Sequence, residues 1–67
     1  MSDLEAPVNN MFGWYVGIKN DKHTYLHSDL KLRRSTSYQG KSTGYFKTEA
    51  EALKCIYRYN SPWHEDL

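Results

Sequence analysis

The residues that could do chemistry are few. The chain has three histidines, His23, His27 and His64, and one cysteine, Cys55. His23 and His27 are four apart, a spacing that on a helix would let both bind one metal ion. The residues around them alternate as in a strand, which puts them on one face but roughly 13 Å apart along it, too far to share an ion. With a single thiol and no dense acidic cluster, no zinc site is expected. Nothing in the spacing pairs Cys55 with a histidine as nucleophile and base, and it reads as a thiol on a helix surface. Serine, histidine and aspartate are all present, but no Gly-x-Ser-x-Gly elbow occurs. Carboxylates for acid–base work would have to come from Asp21, Asp29, Glu49 or Glu51. Each of these sits at a turn or a helix start, where structure accounts for it. Gly40-Lys41-Ser42 lacks the earlier glycine of a phosphate-binding loop, Ser35 standing in its place, and no helix follows. The chain therefore reads as a non-enzyme with no cofactor and no small-molecule substrate.

What remains is a set of cations and rings. All nine Lys and Arg lie between Lys19 and Arg58, against four acids in the same span, a local net charge of +5; the other four acids lie in the tails. Ten of the 67 residues are aromatic and six of these are Tyr, the aromatic best suited to a surface. Phe12 to Lys19 alternates, with Phe12, Trp14, Val16 and Ile18 on one face and Gly13, Tyr15, Gly17 and Lys19 on the other. The outward glycines could mark a bulge or the close approach of another backbone. Asn20-Asp21-Lys22 is turn chemistry. His23 to Ser28 alternates again, with Thr24 and Leu26 inward and His23, Tyr25 and His27 outward. Ser28-Asp29 turns the chain, after which Leu30 and Leu32 face inward and Lys31 and Arg33 outward.

One sheet face thus collects rings and cations, which suits nucleic acid. Lys19, Lys31, Arg33, Arg34 and Lys41 would meet phosphates, Tyr15 and Tyr25 would meet bases or sugars, and His27 would lie among them. A small sheet can also enter the major groove of DNA. The same residue types are common on antiparallel sheets and at protein interfaces. The alternative is therefore a protein-interaction or inhibitor module, phage-encoded and acting on a host protein, or a homodimer formed at an open sheet edge. Trp63 and the tails would join that contact.

The elements that position this face follow from one junction, Gly44 to Leu53. Thr48 is placed to cap a helix and Glu51 stands three residues on, the capping-box spacing; the Thr48 hydroxyl would accept the Glu51 amide and the Glu51 carboxylate the Thr48 amide. The helix is expected from about Glu49 to Tyr59, with Leu53 and Ile56 centring its buried face. Ala50 and Tyr57 flank one side, Ala52 and Tyr59 the other; Glu51, Lys54, Cys55 and Arg58 face water. Asn60 would cap it and Pro62 forbids continuation. The expected fold is α+β, a three- to four-stranded antiparallel sheet with one C-terminal helix packed on one face. Residues 1–10 read as a disordered arm or loose strap, 11–60 as the domain and 61–67 as a tail. Ser35 to Tyr38 could extend a strand, and Gln39 to Gly44 reads as a loop. A single cysteine leaves no internal disulfide. No apolar run approaches the roughly 20 residues of a membrane span. The acidic opening Met1 to Glu5 lacks the regions of a signal peptide, so a cytoplasmic location is expected.

The run Gly44-Tyr45-Phe46-Lys47-Thr48-Glu49-Ala50-Glu51-Ala52 resembles the strand-to-helix junction of the AP2-like domains at the amino ends of phage and transposon integrases, Gly-aromatic-Phe-x-Thr-x-x-Glu-Ala. The resemblance implies three antiparallel strands on one C-terminal helix, with the sheet lying in a DNA groove. It covers the last third of the chain; Leu30 to Thr43 looks like an insertion, and the strands are poorer in Arg than in that family. The layout is also similar to small bacterial ββα units of the YegP type, whose helix ends in Asn-Ser-Pro as Asn60-Ser61-Pro62 does here. That family implies no particular activity.

Overall fold

A computed structural model describes residues 3–61. Strands β1 (Val8–Asn10) and β2 (Gly13–Tyr15) form one antiparallel pair. Strands β3 (Gly17–Ile18), β4 (Asp21–Leu26) and β5 (Leu32–Arg33) form a second antiparallel sheet in that order, and helix α1 (Glu49–Asn60) follows. The fold is α+β, with the strands divided between two sheets.

Parity in the central strands follows the sequence pattern. Val16 and Leu26 are fully buried and join Leu4, Phe46 and Ala52 in the core, against which Trp14, Ile18, Cys55, Ile56 and Tyr59 pack. Burying a side chain such as Leu26 contributes about 1.5–3 kcal/mol. Thr24 is also buried, and Tyr25, pairing with Gly17 and Arg33, faces the other way.

The structure departs from the sequence expectations where long-range contacts decide. Asp3 to Asn10 is no loose arm. Leu4 is buried and bridges Ile18, the Glu5 amide donates to the Gly17 carbonyl at 2.9 Å, and the Lys19 amide donates to Asp3 at 2.9 Å. The segment covers the open edge of β3, whose backbone groups would otherwise lack partners. Phe12 is 70% exposed rather than core-facing. The chain is already turning there, because Asn10 Oδ1 accepts the amides of Phe12 and Gly13 at 2.8 and 3.1 Å. Leu32, expected inward, is 38% exposed because β5 is a two-residue edge strand. Ser35 to Tyr38 adds no strand; Tyr38 and Lys41 instead close a tight turn by exchanging backbone hydrogen bonds, with positive φ at Gln39 and Gly40, as a type I′ turn requires.

Helix α1 is rotated from its expected setting. Its buried face is Ala52, Cys55, Ile56 and Tyr59, whereas Leu53 is 49% and Tyr57 58% exposed and Ala50 lies outside. Cys55, expected in water, is half-buried. The small Ala52 lets the helix approach the sheet closely, and that contact sets the rotation. Thr48 caps the helix, its hydroxyl accepting the Glu51 amide at 3.2 Å, while the Glu51 carboxylate accepts the amide of Lys47 at 3.4 Å rather than that of Thr48. Ser61, not Asn60, is the C-terminal cap and donates its amide to Arg58. Pro62, Trp63 and the tail from His64 lie outside the described residues.

Gly44 is buried where the loop crosses itself. A Cβ there would stand 2.7 Å from the Thr36 Cα and 2.9 Å from its carbonyl oxygen, backbone atoms that can move only together. Gly44→Ala is expected to cost about 1–3 kcal/mol by overpacking, and Thr48→Ala about 1 kcal/mol through the lost cap. Urea unfolding measures both; a Gly44→Ala midpoint equal to wild type would refute the close approach.

Candidate nucleic-acid interface

The sheet face turned away from α1 carries a continuous row of rings. Tyr15 alternates with the buried Val16, and Tyr45 with the buried Phe46, so both point outward. Phe12 and Tyr45 have ring centroids 5.9 Å apart, Tyr45 and Tyr15 6.3 Å, and Tyr15 and Tyr25 5.6 Å. The two Tyr–Tyr contacts are edge-to-face, at 82° and 79°, a geometry worth about 0.5–1.5 kcal/mol each. Arg33 stands opposite Tyr25 in the ladder and lays its guanidinium 3.6 Å above the Tyr38 ring.

The structure treats the sequence-derived site residues unequally. Tyr15 and Tyr25 sit together, half-buried, at the middle of the row. Lys19, Lys31, Arg34 and Lys41 are exposed. Arg33 is held in place, its side chain only 22% exposed and its Nη2 donating to Asp29 Oδ2 at 2.5 Å. It ends the aromatic row rather than reaching outward.

His27 is not on this face, and its expected place there is corrected: the side chain is fully buried. Strand β4 ends at Leu26, so alternation no longer governs the next residue, and the loop that follows closes over the ring. Ser35 offers a carbonyl oxygen 2.5 Å from Nε2, and the Thr43 hydroxyl lies 2.5 Å from Nδ1. A carbonyl only accepts, so Nε2 donates to Ser35, while the Thr43 hydroxyl, which can donate or accept, pairs with Nδ1. Backbone bonds from Ser28 to Thr43 and from Gly44 to Thr36 complete the closure.

Tyr45, Phe12, Tyr38 and Lys22 belong to this surface and were not singled out from sequence. Tyr45 had a signal, its parity opposite to Phe46. Tyr38 had none, since its place depends on the loop folding back.

Beside Tyr15 and Tyr25 lies a groove of about 290 Å³ lined by Glu5, Gly17, Lys19 and Lys22 as well as the two rings. Asp21 also lines it, accepting the His23 amide at 2.9 Å and the Thr24 hydroxyl at 2.7 Å. These bonds, the backbone one first, hold its carboxyl below the ordinary value of 3.8. Asp29 is likewise lowered, chiefly by its hydrogen bond from Arg33. On the helix side, burial pushes the Cys55 thiol up, which keeps it protonated at neutral pH. Among the described residues no group of three or more His, Cys, Asp or Glu is placed to hold a metal ion, and no helix is long and apolar enough to cross a membrane.

No protein-family model matches the chain, and neither does any curated protein or solved structure.

Two outcomes follow. His27→Phe keeps a ring of similar shape but strands the Ser35 carbonyl and the Thr43 hydroxyl, at an expected cost of about 1–3 kcal/mol. Faster amide exchange at Gly44 and Tyr38 would report the loosened loop; unchanged exchange would show that the ring is not what holds it. For Asp21 and Asp29 the folded value lies below the unfolded one, so their stabilisation is present above about pH 3.8 and lost as pH falls through the lowered value. Asp29→Asn should therefore flatten the loss of stability in acid, measured by urea unfolding across that range.

Proposed function

We propose that this chain is a small, non-enzymatic, cytoplasmic module that binds nucleic acid across the outer face of its sheets. The observation that carries the reading is the row from Phe12 through Tyr45, Tyr15 and Tyr25 to the Arg33–Tyr38 pair, on strands and turns that also expose Lys19, Lys31, Arg34 and Lys41. Rings offer bases a stacking surface and cations neutralise phosphates. The resemblance of the Gly44–Ala52 junction to integrase AP2-like domains rests on a mostly structural motif and bears on the fold more than on DNA binding. The tip of the β1–β2 hairpin supports a second reading. There Met11 is 88% and Phe12 70% exposed, an apolar knob suited to a protein partner or a second copy of the chain.

Fluorescence anisotropy with labelled duplex and single-stranded DNA and RNA at rising salt tests the leading reading. Binding should weaken steeply with salt. Tyr15→Ala and Tyr25→Ala should each cost about 1–3 kcal/mol of affinity, and Lys19→Gln should lower the salt slope by about one. Absence of binding even at low salt would overturn the reading. Retention of a protein from nuclease-treated lysate, or a dimer in sedimentation, would favour the second.

A further inference from the structure

We infer that the groove beside Tyr15 and Tyr25 seats one unpaired nucleobase, and that guanine is the base it fits best. This rests on the nucleic-acid reading and narrows it to single strands.

The first observation is a glycine that the fold does not need. Of the chain's four glycines, Gly13 and Gly40 have positive φ, and Gly13 and Gly44 leave no room for a Cβ. Gly17 has neither constraint. A Cβ there would meet only Glu5 Oε1 at 3.6 Å and the Thr24 carbonyl oxygen at 4.0 Å, ordinary contacts. The neighbouring irregularity puts its extra residues, Lys22 to Thr24, on β4 and not on β3. A glycine in a strand weakens it, so a side chain would serve the fold better at this position. What the bare Cα does is keep the floor of the groove low beneath the Glu5 carboxylate.

The second observation is what surrounds that floor. The Tyr15 and Tyr25 rings stand on one side, and the Tyr25 hydroxyl donates to the Lys22 carbonyl at 3.3 Å, which fixes its ring. Glu5 stands on the other side. Leu4 points into the core, so Glu5 points out, and its carboxylate hangs over Gly17 without an ion pair to any described residue. At about 290 Å³ the space lies at the lower limit of small-ligand sites. Lys19 and Lys22 on its rim are placed for the flanking phosphates.

A carboxylate has two acceptor oxygens and no donor. The Watson–Crick edge of guanine presents two adjacent N–H donors to match them. Cytosine offers only its exocyclic amine, and adenine and thymine each place an acceptor in the way. In a duplex that edge is paired and unavailable, so the strand must be single. The rings agree, because Tyr15 stands edge-on to Tyr25 and Tyr45, at 79° and 82°, so successive bases on the row cannot stack on one another as they do in a duplex and the strand must be splayed.

The test uses the full chain and labelled twelve-residue oligothymidines, all-thymine or carrying one central guanine, cytosine or adenine, each as a single strand and annealed to its complement. The guanine strand should bind about tenfold tighter than all-thymine, and annealing should abolish that preference. Glu5→Gln should remove the preference while leaving binding to all-thymine in place. Gly17→Val should weaken every single strand about tenfold or more, with a melting temperature equal to or above wild type. Equal affinity for all four strands, an intact preference in Glu5→Gln, or wild-type affinity in Gly17→Val would overturn the base seat while the broader reading stands. Absence of binding to any oligonucleotide at low salt would overturn both.

Discussion

The backbone exchange between Trp14 and Phe46 is the contact on which the rest depends. The Trp14 amide donates to Phe46 at 3.0 Å and the Phe46 amide returns to Trp14 at 2.7 Å. These bonds lay the C-terminal half of the chain against the first hairpin. Because neighbouring residues of an extended chain point to opposite sides, fixing Phe46 inward sends Tyr45 outward against Tyr15. Two residues later Thr48 caps α1, so the same contact also sets where the helix begins over the core. Gly13 permits the approach, since a Cβ there would lie 2.9 Å from the Phe46 carbonyl oxygen. One pair of hydrogen bonds thus couples the core to the aromatic row.

The far end of the row is built differently. His27 gives up a surface position to become the post around which the 35–43 loop closes, and both ring nitrogens are used. That closure brings Tyr38 beneath Arg33. The Arg33 Nε is buried without a hydrogen-bond partner, and the compensating contacts are the Tyr38 face and the Asp29 carboxylate. An arginine held on both sides loses less freedom when something stacks on the platform it ends.

The acids of the basic body are occupied by the fold. Asp21 holds the irregular stretch of β4, Asp29 holds the turn into β5, and Glu49 and Glu51 lie in the first turn of α1, where negative charge favours the helix. Among the cations, Arg33 pairs with Asp29 and Arg34 stands close enough to Asp21 to help lower its carboxyl. Next to Tyr15 and Tyr25 the charges alternate, Glu5 and Asp21 lining the groove together with Lys19 and Lys22.

By itself the sequence determined the α+β class, the Thr48 cap and the parity that sends Thr24 and Leu26 inward and Tyr15 and Tyr25 outward. All of these are local, arising from the two-residue repeat of a strand and from a hydroxyl within reach of an amide three residues on. Tertiary structure alone decided that Asp3 to Asn10 covers the β3 edge, that α1 turns Cys55 rather than Leu53 toward the core, that His27 is buried and that Arg33 is clamped on Tyr38. Each of these depends on which distant segment supplies the missing partner of an exposed backbone edge, a small helix residue or a buried ring, and residue spacing carries no record of that choice.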